Sequence, residues 1–266
     1  MKIRTYLLLL FLMNTLAMNA QERSFVYPII PDSLQTIEER ANFLCEHYWD
    51  NFDFKDTLQL NDPNLAEQGF VNFIDLLPRL PQELAKQSIA AFTSHAFAYP
   101  AAKSKMERLI EHYFDDPDSP LRDDRTYLLF LEEMGKSPYF DETEKERLTF
   151  KRTNANKNLP GDIAIDFCFT SKDRKSHRLR DYQGKRVILY FYDPECENCH
   201  RVSRWLNEQV FPTDIMRLDV EANTQLYHLY SLRAMPTIYL LDKGNQVVLK
   251  DCSPEKLLAK LHDAIQ

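Results

Sequence analysis

Two cysteines, Cys196 and Cys199, are the residues of this chain whose type and spacing could do redox chemistry. They follow the apolar run 187–192, which has the length of a strand, and precede 201–206, where apolar positions recur with helical spacing. A thiol at the start of a helix meets unpaired N–H groups and the positive end of the helix dipole, which stabilise a thiolate. Such a thiolate attacks a partner's sulfur, and a second thiol resolves the mixed disulfide. The pattern predicts Cys196 as nucleophile and Cys199 as resolving thiol.

The elements that would position these cysteines alternate between strand and helix over residues 156–266. Strand patterns cover 163–169, 187–192, 215–220, 237–241 and 246–250, and helical patterns cover 201–206, 223–231 and 253–261. The order strand, helix, strand, then a hairpin and a helix predicts a mixed β-sheet with helices on both faces.

Residues 21–155 have a different character, because their apolar positions recur with helical period and strand patterns are lacking. Six antiparallel helices with short connections are predicted, over 33–52, 63–77, 82–97, 101–114, 119–135 and 141–153. The polar, turn-rich stretch 154–161 then predicts a linker. The fold class is therefore an all-helical domain followed by a mixed α/β domain, with the boundary at 155/156.

The helical domain contains histidines and aromatic residues that are candidates for chemistry. His47, His95 and His112 are isolated, and no pair has the i, i+4 spacing of a helical metal site. We therefore expect ordinary surface or core histidines. The aromatic residues that share one helical period are expected in the core, with the lining of a groove as the alternative: Tyr48, Trp49, Phe52 and Phe54.

Residues 1–20 are typical of a secretory signal. Lys2 and Arg4 precede the apolar stretch 6–13, and small residues lead to Ala20. The apolar stretch is shorter than the roughly 20 residues that span a bilayer. We expect an exported, periplasmic protein that is peripheral to the membrane at most, with an uncleaved anchor or an ordinary helix as alternatives. The net charge of −7 gives no basic footprint for nucleic acid.

Three local features resemble the thioredoxin-like superfamily, and within it the periplasmic TlpA/ResA-type reductases and their AhpC/TSA relatives. They are the Cys-Glu-Asn-Cys after the apolar strand, Met235-Pro236-Thr237, and the stretch 161–167. The resemblance covers roughly 159–266. It implies a thioredoxin-like fold, a cis-proline loop at 235–237 that faces the dithiol, a protein disulfide as substrate, a thiol electron donor and no cofactor. Residues 21–155 resemble an uncharacterised domain that precedes such modules, and no oligomeric state is implied.

Four positions depart from the pattern of that family. Ile165 replaces the proline of the opening motif, and Glu195 replaces the aromatic residue before the first cysteine. Tyr190 replaces the buried acid, and Val202 replaces the ResA-type carboxylate. The usual proton acceptors of the resolving thiol are therefore missing. Glu197, in contrast, matches the Cys-Glu-Pro-Cys variant of ResA-type reductases.

The residues around the first cysteine should tune its redox potential. Glu195 and Glu197 flank Cys196, and their negative charges oppose the helix dipole. His200 is mostly neutral at pH 7 and offsets them only in part, and Asn198 completes the dipeptide between the cysteines. We expect a reducing couple, nearer the roughly −270 mV of thioredoxin than the roughly −120 mV of an oxidase such as DsbA.

Other functions compete for the same residues. Cys-x-x-Cys-His is also the haem-attachment pattern, with His200 as axial ligand, but the flanking strands and Met235-Pro236 disfavour it. A zinc site lacks a second ligand pair, so no metal is predicted. The remaining alternative is a binding protein, in which the helical domain recognises a surface partner and the redox module is vestigial or regulatory.

Three further cysteines leave an odd count. Cys45, Cys168 and Cys252 are predicted to be buried, reduced and inert, as free cysteines usually are. A structural Cys168–Cys252 bridge is the alternative.

Overall fold

The computed structural model describes residues 24–116, 119–170, 176–211 and 213–263. The predicted secretory signal lies outside these residues. By packing, the chain divides into two compact units, Met1–Leu109 and Ile110–Gln266. The domain boundary at 155/156 was drawn from sequence patterns and stays a prediction. In the described part of the chain, no helix combines the length and the apolar character that a membrane crossing needs.

The first unit is built from helices. They are α1 (Ile37–His47), α2 (Thr57–Asn61), α3 (Gln68–Leu76), α4 (Gln82–Ala96) and α5 (Pro100–Ile110), which ends just inside the second unit, and the π-helical turn Pro63–Glu67 precedes α3. The predicted helix start at Ser33 is wrong, because Thr36 and Glu39 form a capping box that begins α1 at Ile37. The short helix α2, capped by Asp56, was not predicted.

Aromatic side chains form the core of the first unit, as predicted. Tyr48, Trp49 and Phe92 are buried, and the rings of Trp49 and Phe92 lie 5.2 Å apart. The Tyr48 hydroxyl donates a hydrogen bond to the Gly69 carbonyl at 2.9 Å, so the polar end of a buried ring has its partner. A Cβ at Gly69 would lie 2.3 Å from the Phe25 ring, so only glycine fits this contact.

Two helices open the described part of the second unit, after the π-helical turn Glu111–Asp115. They are α6 (Asp124–Lys136) and α7 (Glu142–Ala155). The Asp123 carboxylate caps α6, so the predicted start at Ser119 is wrong. Asp141 caps α7 in a capping box with Glu144, as predicted.

The rest of the second unit contains two sheets. The strands are β1 (Cys168–Thr170), β2 (Ser176–Arg178), β3 (Val187–Tyr192), β4 (Asp214–Asp219), β5 (Thr237–Leu241) and β6 (Val247–Leu249). Strands β1 and β2 pair with each other, and the larger sheet has the order β4-β3-β5-β6. Strand β4 is parallel to β3, whereas β5 is antiparallel to β3 and β6 is antiparallel to β5. The predicted mixed sheet is confirmed.

The first predicted strand of this region is only partly correct. Residue Ile163 is 65% exposed and makes a single bridge to Gln246, and the paired strand begins at Cys168. Strand β2, its antiparallel partner, was not predicted.

Helices α8 (Glu197–Glu208), α9 (Gln225–Tyr230) and α10 (Pro254–Asp263) complete the second unit. Alternate residues of β3 point to opposite faces of the sheet. Residues Ile188 and Tyr190 join the core cluster with α8 and α10, whereas Leu189 and Phe191 join the cluster with α9. Because β3 is buried on both faces, its carboxyl end is a fixed base for the cysteines that follow it.

Candidate active site

The two cysteines lie where β3 gives way to α8. Cys196 is the N-cap residue of α8, and its Sγ accepts a hydrogen bond from the backbone N–H of Cys199 at 3.3 Å. Cys196 is half-buried, whereas Cys199 in the first turn is 1% exposed. The outer sulfur is therefore accessible to a partner, and the inner sulfur lies beneath it at the positive end of the helix dipole.

The loop before β5 faces the outer cysteine. The Met235–Pro236 peptide bond is cis, which confirms that prediction. The Cys196 thiol lies 3.7 Å from the Met235 carbonyl oxygen, to which it donates. Thr237 is buried, and its hydroxyl donates to the Ala234 carbonyl at 2.7 Å, which closes the loop on itself. Cys196, Met235 and Pro236 are thus brought together across 39 residues of sequence.

The inner thiol is strongly disposed to stay protonated. Burial, together with the hydrogen bond and the charge of Cys196, raises the pKa of Cys199 to about 12, while a backbone hydrogen bond at Asp193 opposes the shift. At neutral pH, as long as Cys196 has not reacted with a partner, the Cys199 side chain is therefore a protonated thiol.

Tyr190, which replaces the buried acid of the family, connects β3 to α8. Its side chain is fully buried, and its hydroxyl donates to the Cys199 carbonyl at 2.7 Å while it accepts from the Ser203 hydroxyl at 3.1 Å. Burial raises the pKa of Tyr190 to about 12, so it is a neutral hydrogen-bond donor. Val202, in place of the ResA-type carboxylate, is buried in the core cluster on this face.

Asp193 is a residue of the site that sequence reasoning did not single out. It is half-buried in the turn between β3 and α8. Its carboxylate accepts the Glu195 N–H at 2.7 Å, and its carbonyl accepts the Cys196 N–H at 3.2 Å. The sequence indicates this role through the position of Asp193 in a turn, where an Asp side chain often accepts a hydrogen bond from the backbone N–H two residues later.

The predicted tuning residues lie on the open side of the site. Glu195, Glu197, Asn198 and His200 are all exposed. The Asn198 amide oxygen accepts a hydrogen bond from Arg201 at 2.7 Å. Exposure places the two carboxylates in high dielectric, where salt screens their effect on the sulfur.

The remaining cysteines are only partly as predicted. Cys45 and Cys252 are buried, and burial raises the pKa of Cys252 to about 12. Cys168 is exposed, so its predicted burial is wrong. Strand β1 alternates, and Phe169 points to the core, so its neighbour must face solvent. Both Cys168 and Cys252 are free thiols, so the alternative bridge between them is wrong for this structure.

No cluster of three or more His, Cys, Asp or Glu side chains suited to a metal ion occurs among the described residues. His47 instead pairs with Asp50, its Nδ1 lying 2.7 Å from the carboxylate.

A dithiol that starts a helix after the central strand of a mixed sheet and faces a cis-proline loop defines a thioredoxin-like domain. Comparison with known proteins agrees. The family described as "Domain of unknown function (DUF5106)" matches residues 12–158, which is more than half of the chain, so the protein belongs to that family. The AhpC/TSA family matches residues 160–222.

Curated relatives and a solved structure extend the comparison. The thiol-disulfide oxidoreductase ResA of Geobacillus thermodenitrificans is 26% identical over a match that covers 33% of this chain and 66% of ResA. ResA of Bacillus cereus is also 26% identical, over 34% of this chain and 68% of the relative. A thioredoxin-like protein from Bacteroides caccae superposes with a TM-score of 0.74 and 28% identity, over 91% of this chain and 99% of that one. The chain thus spans about two thirds of these curated relatives and is a homologue of thiol-disulfide oxidoreductases, as the resemblance predicted.

Proposed function

We propose that this protein is an exported thiol-disulfide oxidoreductase that reduces disulfides of protein partners, with Cys196 as nucleophile and Cys199 as resolving thiol. One observation carries the proposal. A half-buried sulfur at a helix N-cap accepts a backbone N–H and faces a cis-proline loop, while the second sulfur lies buried in the first turn. This arrangement favours attack by the outer thiolate and protects the inner thiol until it is needed.

In the first step, the Cys196 thiolate attacks one sulfur of the partner's disulfide. A new bond joins Cys196 to the partner, the partner's S–S bond breaks, and the released thiolate takes a proton from solvent. The N–H of Cys199 and the dipole of α8 stabilise the attacking thiolate. The N-cap position therefore stabilises the thiolate of Cys196, which is its reactive form.

In the second step, Cys199 must lose its proton and attack the Cys196 sulfur. Burial is the main cause of its raised pKa, but the hydrogen bond and charge of Cys196 also contribute. Both of these contributions disappear once Cys196 is bonded to the partner, because the sulfur no longer carries a thiolate charge. Formation of the mixed disulfide therefore lowers the pKa of the resolving thiol when it has to react.

The products balance in electrons and protons. The partner gains two electrons and two protons and leaves as a dithiol, while Cys196 and Cys199 become a disulfide. A thiol electron donor must then reduce this disulfide before another turnover. The donor is proposed only by this chemical class.

The reducing direction is proposed from the charges around the nucleophile. Glu195 and Glu197 lie exposed beside Cys196, and negative charge next to a dithiol favours the disulfide over the reduced form. Equilibration with a glutathione series should give a potential near roughly −270 mV. A potential more positive than about −180 mV, the range of a disulfide isomerase, would contradict the reductase direction. Glu197→His should shift the potential upward.

The activity test is reduction of insulin disulfides by the full mature chain. Because Cys168 is an exposed thiol, Cys168→Ser should be the parent for every variant. The parent should reduce insulin, and Cys196→Ser should abolish the reaction. Equal rates in the two proteins would contradict the proposed function and favour the alternative of a binding protein with a vestigial redox module.

Export is proposed from the signal-like residues 1–20. Cell fractionation should place the protein in the periplasm, and N-terminal sequencing should find Gln21 as the first residue. A protein that retains Met1 in the cytoplasmic fraction would contradict this part of the proposal.

A further inference from the structure

The segment 228–233, which runs from the last turn of α9 to the cis-proline loop, is held by side chains that come from the helical part of its own unit. Lys157 donates to the His228 carbonyl at 2.6 Å, and Asn158 donates to the Leu229 carbonyl at 3.0 Å. Both residues follow directly after α7. These two bonds hold the start of the segment, in the last turn of α9.

The end of the segment is held by Arg233. Its guanidinium donates to the Asp115 carbonyl at 3.0 Å and forms an ion pair with the Asp115 carboxylate. Asp115 ends the π-helical turn before α6, and it also lies 3.6 Å from Lys151 of α7. The guanidinium approaches Asp124 of α6 at 3.9 Å. Arg233 therefore connects the loop to α6 directly, and through Asp115 and Lys151 to α7.

This contact is better protected than an ordinary surface ion pair. The side chains of Arg233 and Asp115 are 25% and 30% exposed, and the carboxylate of Asp124 beside them is 9% exposed. Partly buried charges are screened less by solvent and salt than exposed ones. One guanidinium nitrogen of Arg233 donates to both the carbonyl and the carboxylate of Asp115, so the contact has a backbone and a charged partner.

The position of Arg233 along the chain gives the contact its importance. It lies two residues before Met235, whose carbonyl is 3.7 Å from the Cys196 sulfur. Two residues of extended chain span at most about 7 Å, so the carbonyl that faces Cys196 lies within a short length of chain from the anchored arginine. Nearby, Ser231 has a left-handed φ of 51° and Leu232 donates to the Tyr227 carbonyl at 3.3 Å, so the segment is a defined turn.

We propose that Arg233 is a positioning residue for the dithiol site: through Asp115, the helical part of the unit sets where the cis-proline loop stands relative to Cys196. The inference rests on the proposed function and adds to it a role for the helical residues that never touch the cysteines. A protein substrate, which must lie along the loop, needs this placement. A small disulfide, which needs only the Cys196 sulfur, does not.

The test compares two substrates in the full mature chain with Cys168→Ser as parent. The variants are Arg233→Met, Asp115→Asn and the double variant, and Lys185→Met is the matched control. Lys185 pairs with Asp214 at 3.1 Å in the same unit, and the pair is exposed at the far end of β3 and β4. Circular dichroism and thermal unfolding confirm that each variant folds.

For insulin, each single variant should lower kcat/KM about fivefold or more, the lower end of typical coupling between sites. The double variant should be no worse than the poorer single one, because both changes remove the same contact. The rate of Cys196 with the small disulfide DTNB should stay within twofold, as should every rate of Lys185→Met. Insulin kcat/KM within twofold of parent in Asp115→Asn overturns the proposal. A loss of insulin kcat/KM in Arg233→Met but not in Asp115→Asn also overturns the proposal, because that result would mean that Arg233 contacts the substrate directly.

A second measurement does not depend on turnover. Hydrogen–deuterium exchange of the peptide 227–237 should be at least about fivefold faster in Asp115→Asn than in parent, because the loop opens more often. Unchanged exchange overturns the proposal whatever the activity. A parent that fails to reduce insulin contradicts the proposed function, and the exchange result then still decides whether Asp115 holds the loop.

Discussion

Replacing Tyr190 by phenylalanine tests whether this residue is a structural donor or the missing proton acceptor. The change keeps the buried ring and removes only the hydroxyl. That hydroxyl donates to the Cys199 carbonyl at 2.7 Å and accepts from Ser203 at 3.1 Å. Ser203 is half-buried and reaches solvent, and the carbonyl of Cys199 keeps its place in the first turn of α8.

The loss of stability should correspond to one neutral hydrogen bond. Such a bond contributes about 1 kcal/mol net, and no buried charge is left behind. For a domain of this size, the melting temperature should fall by about 2–4 °C. Tyr192→Phe is the matched control, since its ring stacks on Tyr190 at 5.6 Å and its hydroxyl bonds to no described residue. The control should change stability by less than about 0.5 kcal/mol.

The effect on catalysis separates the two roles. Burial raises the pKa of Tyr190 to about 12, so the hydroxyl keeps its proton at every pH at which the protein works. We expect insulin turnover by Tyr190→Phe within about threefold of parent, with an unchanged pH profile between pH 6 and 9. A loss of about 100-fold or more, with a shifted profile, is the size of a lost acid–base catalyst and would refute the reasoning.

Three further predictions concern cysteines and a buried ion pair. Burial raises the pKa of Cys199 and of Cys252 from 9.0 to about 12, so the stability that these buried thiols contribute is fully present below pH 9 and is lost as pH rises toward 12. Urea unfolding of the reduced protein should show this fall in the free energy of unfolding. In native protein with both active-site cysteines replaced by serine, a thiol reagent should label Cys168 alone, and labelling of a buried cysteine at a similar rate would contradict the burial. Lys250 forms an ion pair with Asp124 at 3.0 Å, and the two side chains are 4% and 9% exposed. Lys250→Met should cost about 3 kcal/mol in denaturant unfolding, whereas Lys185→Met, at an exposed ion pair, should cost under about 1 kcal/mol; equal losses would contradict the ion-pair account.

The fold of the second unit was largely predictable, because its strands are short apolar runs between turns. β5 matches the prediction residue for residue, and β3 is buried on both faces, which is why it reads as a continuous apolar run. Strand β2 is polar and short, so it gave no pattern. The start of α1 was missed because Ser33 and Thr36 are both good caps, and only the reciprocal bond of Glu39 decides between them.

The site was predictable where chemistry and sequence spacing coincide. Cys196 and Cys199 are three residues apart, so the helix brings them together by itself. The ion pair of Arg233 joins residues 118 positions apart, and no local pattern reports such a contact. The alternation with Phe169 indicates that Cys168 faces solvent, whereas the general tendency of free cysteine to be buried predicts the opposite; the position within the strand decides.

Trapping of the mixed disulfide tests the central claim most directly. The Cys199→Ser chain, in the Cys168→Ser background, is mixed with native insulin, whose disulfides are intact. Tryptic peptides are then analysed by mass spectrometry without reduction. The account predicts a stable adduct with one insulin chain at Cys196, and none when Cys196→Ser is tested with Cys199 intact. An adduct at Cys199 in the Cys196→Ser variant would contradict the assignment of the nucleophile. So would the absence of an adduct at Cys196 in the Cys199→Ser variant while that variant still cleaves insulin disulfides.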